Sequence, residues 1–294
     1  MKTLVKFGYS VRQVCNIANI TPQAYYKRIK KTVSDSIVYD RLEDFVKSNR
    51  SLKSRVGLRT IYYKENLSSL LGINKFEVEM SARGYALKPY KSFIKTTDSR
   101  GFHHKYENKI EGTEVRSPNT IIVGDITYYQ CNAGLFYIFL FTDLYTLEVK
   151  AICGSTHMQG VIAEKCLRQV MVYIRKKKFH HNLIIHTDGG GQYRSDKYQY
   201  MLRLAEIIPS QSKSCFENGL AERMNGIIKN EYLNDYNIKG ELHLNRVLKR
   251  IVKQHNEVWP SGKLGRRTPL GFAKWVVTLP EKDRPVVKVK KINQ

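Results

Sequence analysis

No apolar run in this chain reaches the roughly 18 residues a membrane-spanning helix needs, so the sequence predicts no transmembrane segment and no membrane partner. The opening stretch "MKTLVKFGYSVRQVC" lacks a long apolar core and a small-residue cleavage site, which reads against a secretory signal. Cysteine is scarce. Cys15, Cys131, Cys153, Cys166 and Cys215 are odd in number, scattered, and never spaced C-x-x-C. That excludes a disulfide framework and a structural zinc site, and points to a reducing cytoplasm. His103 and His104 have no cysteine pair nearby and read as part of a linker. Acid is also short: 26 Asp and Glu stand against 50 Lys and Arg.

What is present follows from that imbalance. The net charge is +24, and residues 1–100 alone hold 20 basic and 8 acidic side chains. So large an excess repels itself unless a polyanion is the partner. Nucleic acid is the first candidate, because each phosphate neutralised releases a counterion. With 294 residues, 42% hydrophobic and 11% aromatic, the chain is globular and long enough for one large domain or two smaller ones.

Residues 10–31, "SVRQVCNIANITPQAYYKRIKK", predict two short helices with a turn at Asn19 and Ile20. Thr21 is a good N-cap and Pro22 suits the first helical position. The second helix presents Tyr25, Lys27, Arg28, Lys30 and Lys31, the layout of a helix-turn-helix with a basic reading helix. A plain helical hairpin with a solvated basic face fits the same residues. Three more helical segments follow in "VYDRLEDFVKSN", "GLRTIYYKENLSSLLG" and "NKFEVEMSARG", the last two stopped by Gly72 and Gly84. Residues 96–117 are polar and without period, and read as a linker.

The pattern changes near residue 118. "NTIIVGDITYYQC", "LFYIFLFTDL" and "TLEVKAIC" read as an antiparallel three-strand meander. A helix is expected over about 156–176, a strand at "HNLIIHTD", a helix over about 195–206, a short strand at "EIIP", and helices over about 217–235 and 240–258. Together they describe an α/β domain with a mixed five-stranded sheet flanked by helices.

Three carboxylates stand out in that frame. Asp125 follows the apolar run Ile121–Val123, Asp188 ends the fourth strand, and Glu222 lies on the helix after the last strand. If the first and fourth strands lie side by side, the three acids meet. Such a cluster needs a cation, and hard oxygen ligands select Mg²⁺ or Mn²⁺. Two such ions can activate an attacking oxygen and stabilise the leaving oxygen of a phosphodiester. Gly189–Gly191 either let a DNA backbone approach or form a plain flexible turn.

The motifs carry a resemblance. "GDITYY", "HTDGGGQY", "ENGLAERMNGIIKNEY" and "LGRRTPLGF" (264–272) are similar, in order, to the motifs of DDE transposases and retroviral integrases. They most resemble those of the second-frame transposase product of bacterial insertion sequences of the IS-three group. Upstream, "RVGLRTI" (55–61) and "NKFEVEMSARGYAL" (74–87) resemble that group's N-terminal helical DNA-binding region. The resemblance implies a ribonuclease H-like catalytic core preceded by an all-α, helix-turn-helix-type region. It implies metal-dependent DNA strand cleavage and strand transfer at the ends of a mobile element, with two Mg²⁺ or Mn²⁺ ions held by Asp125, Asp188 and Glu222. It further implies a homo-oligomer on double-stranded DNA in a bacterial cytoplasm, in some elements fused by frameshift to an upstream product.

Departures are small. Asp188 and Glu222 are 34 positions apart, slightly fewer than usual in the group. Glu217 stands where Asp is usual, and Gly189 where Gln is common. The expected organisation is residues 1–95 for DNA binding, 96–117 as linker, 118–280 as catalytic core and 281–294 as a basic tail. Residues 1–95 are expected to be removable without unfolding the core.

Supporting roles are open to two readings each. His186, two residues before Asp188 on the same strand side, either steadies the site or is a satisfied core histidine. Lys229, two helical turns beyond Glu222, either meets DNA phosphates or sits on a solvated face. Asn218 caps or positions the helix start. Trp259 and Trp275 read as packing aromatics, and Glu231 is expected to face away from the acids. Two other functions fit the same residues: a nuclease on the same fold, which should not need the basic N-terminal helices, and a non-catalytic DNA-binding protein derived from a transposase.

Overall fold

The computed structural model describes residues 7–88, 106–177, 182–212 and 218–290. The expectations for His103, His104, Cys215, Glu217, the first part of the linker and the last four residues lie outside these.

Helix α1 (Val11–Ile17) opens with a capping box in which the Gln13 amide donates to Ser10 Oγ at 3.3 Å and the Ser10 amide donates to Gln13 Oε1 at 2.9 Å. Asn19, at φ 49°, turns the chain. Helix α2 then starts on Thr21 and Pro22 as expected. It does not stop near Lys31. It runs as one 31-residue helix, Pro22–Leu52, absorbing the segment read as a separate helix. The reason is plain: no Gly or Pro interrupts residues 23–52. Helices α3 (Leu58–Lys64) and α4 (Ile73–Met80) follow, and Gly84 at φ 88° ends the turn after α4.

The sheet contains β2 (Ile121–Cys131), β3 (Gly134–Asp143), β4 (Val149–Ser155), β5 (Ile184–Thr187) and β6 (Ile208–Gln211) in the order β4-β3-β2-β5-β6. The first three form the expected antiparallel meander, whereas β5 pairs parallel with both β2 and β6. Strand alternation assigns the two faces. Phe139 and Phe141 of β3 pack under α5 (Gly160–Lys177) and α6 (Asp196–Leu204). Phe136, Ile138 and Leu140 face α7 (Gly219–Gly226) and α8 (Glu241–Glu257). The helix of α7 continues through a wide π-turn (Ile227–Tyr232). Helix α9 (Pro269–Val276) starts on Thr268 and Pro269 of the "LGRRTPLGF" motif.

Contacts between segments bear on the expected organisation. The N-terminal helices share a buried core with the α/β fold. Leu42, Val46, Ile61, Phe76 and Met80 share one buried cluster with Met224, Ile228, Tyr232 and Trp259. Lys53 pairs with Glu231 at 2.5 Å, the Ser54 amide donates to Asp235 at 2.9 Å, and the Arg266 guanidinium stacks on Tyr63. The linker and tail also meet. β1 (Glu114–Val115) pairs antiparallel with β7 (Val287–Lys288), and Ile110 and Val115 are buried beside Phe272. Their alternating apolar residues were too few to register as a period.

Candidate active site

The site is built at the edge where β2 and β5 run parallel. Val123 pairs with His186. Each carboxylate is two residues further on, so Asp125 and Asp188 emerge on the same side, next to one another. Gly124 leaves room for the Phe141 ring of β3, which a Cβ there would overlap. β5 ends at Thr187 because Gly189 takes a left-handed φ of 72°, and a side chain there would collide with Gln211. Gly191, by contrast, has open space above it.

Helix α7 brings the third acid. It is tethered rather than capped: the Asn218 side-chain amide makes no cap but donates to the Gly124 carbonyl of β2 at 3.1 Å. One turn later Glu222 stands exposed at the mouth of the site. One turn beyond that, Asn225 points inward and donates to Asp125 Oδ2 at 2.7 Å. Asn225 escaped the sequence reading. Its only signal is its position three residues after Glu222, on the same helical face. Lys229 is half-buried. Burial lowers its pKa, and the nearby negative charge of Asp125 opposes that shift.

The electrostatics record the crowding. Burial first, then the charge of Asp188 and, more weakly, that of Glu222 push the Asp125 carboxyl up to about 7, against the bonds from the Ile126 amide and Asn225. Burial also raises Asp188, although its carboxylate accepts from the Gly190 amide at 3.0 Å. Among the described residues, no three His, Cys, Asp or Glu side chains close to metal-holding distance. Asp125 and Asp188 form the inner pair, and Glu222 faces them from the rim. Two desolvated carboxylates and a third opposite, all hard oxygen donors, fit a divalent cation.

The remaining expected residues fall into place by burial. His186 is wholly buried, with Nδ1 2.9 Å from Ser210 Oγ on β6, which is the core reading of that residue. Lys27, Arg28, Lys30 and Lys31 are exposed on the first turns of α2. Tyr25 is not. It is 6% exposed and packs where α1 meets α2, so its expected DNA contact is corrected to a packing role. Glu231 points away from the acids, toward Lys53. Trp259 is buried and Trp275 half-buried under the Arg267 guanidinium.

With this geometry in view, comparison with known proteins is informative. A family model described as "Integrase core domain" matches residues 115–214, and a second of the same description matches residues 205–269. Residues 115–269 thus match the integrase core domain. Among curated relatives, it is 26% identical over 162 residues to a transposase for insertion sequence element IS904 of Lactococcus lactis, covering 54% of this chain and 63% of that protein. It is 22% identical over 279 residues to the insertion element IS600 uncharacterized 31 kDa protein of Shigella sonnei, covering 88% and 97%. It is 32% identical over 137 residues to the transposase InsF for insertion sequence IS3fB of Escherichia coli, covering 46% and 45%. The chain thus spans less than two thirds of the two transposases but nearly all of the IS600 protein. The matched integrase core contains all three acids, β2 to β6, and the helix that carries Glu222.

Proposed function

We propose that this chain is an insertion-sequence transposase of the IS-three group type. It would cleave DNA strands at the ends of its element and join them to target DNA by phosphodiester transesterification. The observation that supports the reading is that Asp125 and Asp188 emerge side by side from two parallel strands, and that Asp125 senses the charges of both Asp188 and Glu222. Asp125, Asp188 and Glu222 would hold one or two Mg²⁺ or Mn²⁺ ions, which when bound supply Lewis acidity to the attacking and leaving oxygens.

The protein's own contribution is positional. Asn218 fixes the start of the helix to β2, so Glu222 stands at a set height above the Asp pair. Asn225 occupies one oxygen of Asp125 and thereby orients the other. Lys229 lies on the Asp125 side of the helix, where it can neutralise a phosphate of the scissile strand. The open space above Gly191 leaves room for a DNA backbone. Lys27, Arg28, Lys30 and Lys31 would bind the element end. Double-stranded DNA, further copies of the chain and, in a fused form, an upstream-frame product are the partners this reading proposes, in a bacterial cytoplasm. Among the described residues no helix is long and apolar enough to cross a membrane.

The test is nicking and strand joining with duplexes carrying the element ends. Excess chelator should abolish both. Asp125→Asn, Asp188→Asn and Glu222→Gln should each remove most activity, and double variants should add little, because the three act as a unit. Glu231→Gln should stay active. Normal joining by Glu222→Gln would overturn the site assignment.

A further inference from the structure

Glu222 serves the carboxylate site from one side of α7. Its neighbour Arg223 turns instead to a recess of about 200 Å³ behind that helix. Lys53 at the end of α2, Thr60 of α3, Trp259, and Lys263 just before the "LGRRTPLGF" motif form its other walls. None of Asp125, Asp188 and Glu222 lines it, so it is a separate site.

The charges in the recess do not balance. Lys53 is neutralised by Glu231 at 2.5 Å. Arg223 and Lys263 have no such acid: among the described residues neither has an ion-pair or hydrogen-bond partner. They lie near enough that Arg223 adds to burial in lowering the Lys263 ammonium from its usual range. Donors are also in surplus. The buried Nε1–H of Trp259 finds no acceptor, and the hydroxyls of Thr60 and Ser261 are unpaired among the described residues. Like charges held together, with spare donors around them and no free acid, call for an anion.

We infer that the recess binds a phosphomonoester, its oxygens on Arg223 and Lys263 and its organic part against Leu220, Met224 and Pro260. A phosphomonoester carries about two negative charges at neutral pH, which matches two unpaired cations. A carboxylate would leave one of them uncompensated. The planar guanidinium can take two phosphate oxygens at once and the ammonium a third, with the Thr60 and Ser261 hydroxyls free to donate as well. The volume is larger than the roughly 150 Å³ that admits a benzene ring, so an organic group fits beside the phosphate. A phosphodiester within a duplex carries a sugar on either side and enters a recess less far than a terminal phosphate does. Two sources supply the same chemistry: a phosphorylated DNA end and a free mononucleotide. The site stands apart from the proposed chemistry, since it requires neither cleavage nor a metal.

The full chain tests this. It has two tryptophans, so Trp275→Phe leaves Trp259 as the sole fluorophore, in the wall of the recess. Inorganic phosphate at constant ionic strength should change that fluorescence saturably. In the unsubstituted chain, phosphate at about 100 times its dissociation constant should raise the melting temperature by several degrees. Lys263→Gln and Arg223→Gln should each weaken phosphate binding roughly tenfold. Both side chains are exposed, so neither change should lower the melting temperature without phosphate. Arg203→Gln, exposed on α6 across the sheet, should bind phosphate as the native chain does. Adenosine 5′-monophosphate and a 5′-phosphorylated trinucleotide, each competed by phosphate, separate the two sources: whichever binds more tightly than a 5′-hydroxyl trinucleotide identifies the ligand, and either keeps the recess. A phosphate effect that survives both Lys263→Gln and Arg223→Gln overturns the site. So does a fall in duplex affinity in Lys263→Gln with no response of Trp259 to phosphate, which would make these cations plain backbone contacts. A chain that binds phosphate here yet never cuts DNA keeps the recess and loses the transposase reading.

Discussion

Lys53 ends α2 and is buried, yet its ammonium meets Glu231 at 2.5 Å on the continuation of the helix that carries Glu222. The same ammonium lies 4.5 Å from the Tyr232 ring centroid and 5.6 Å from that of Trp259. Lys53→Met keeps the apolar stem and removes the charge. The Glu231 side chain left behind is 33% exposed, so water can take over part of the role. The expected cost is about 1–2 kcal/mol, below the 3–5 kcal/mol typical when both partners are sealed from solvent. Glu231→Gln is the harsher change, because Lys53 has only 8% of its side chain in water. Two aromatic faces soften that loss, and about 2–3 kcal/mol is expected. The double variant leaves no orphaned charge and should cost only about 1–2 kcal/mol, giving a coupling near 2 kcal/mol. Urea denaturation of the four proteins measures the cycle, and each kcal/mol should move the melting temperature by about 2–4 °C. A coupling below about 0.3 kcal/mol would sink the claim that the N-terminal helices and the catalytic helix fold as one unit.

The same shared core predicts that a chain lacking residues 1–37 stays folded but loses specific end binding, while one lacking 1–88 exposes Tyr232 and Trp259 and aggregates; circular dichroism and light scattering decide. His255 is held down to about 4, mainly by burial, although its Nε2 donates to the Leu147 carbonyl at 3.0 Å. Its unfolded value near 6.5 is higher, so the unfolded state takes the proton first. The His255 contribution is absent above about pH 6.5 and reaches a loss of about 3 kcal/mol by pH 4, opposite in sign to the gain from Asp125 and Asp188, whose raised carboxyls favour the folded state as pH falls. The difference in stability between the native protein and His255→Gln should therefore change by about 3 kcal/mol between pH 7 and pH 4, and a difference that does not change with pH would refute the assignment. Gly189→Ala should lower the melting temperature by several degrees, as about 1–3 kcal/mol of left-handed strain adds to the clash with Gln211. Gly191→Ala should melt like the native protein.

Much of the fold was legible in local pattern. The apolar, aromatic-rich run "LFYIFLFTDL", a buried run ending in Asp188, and the cap at Thr21–Pro22 are short-range signals, and the corresponding elements appear where expected. Asp125 and Asp188 stood out as residues, because an acid after an apolar run is conspicuous wherever the strands come to lie, whereas Glu222 stood out through its motif. What local pattern could not supply was anything that depends on a distant partner. The length of α2 followed only from the lack of a breaker. Asn225 became a partner of Asp125 only once α7 was tied to Gly124, 94 residues away in sequence. Tyr25 carries the same hydroxyl whether it faces DNA or α1, and packing alone chose α1. The supposed linker and tail were each too short to show a period, and pairing made them strands. By itself, the sequence determined the elements, the charge and the acids. The tertiary structure decided which faces were buried, because burial depends on what lies opposite, and that is not written in any one segment.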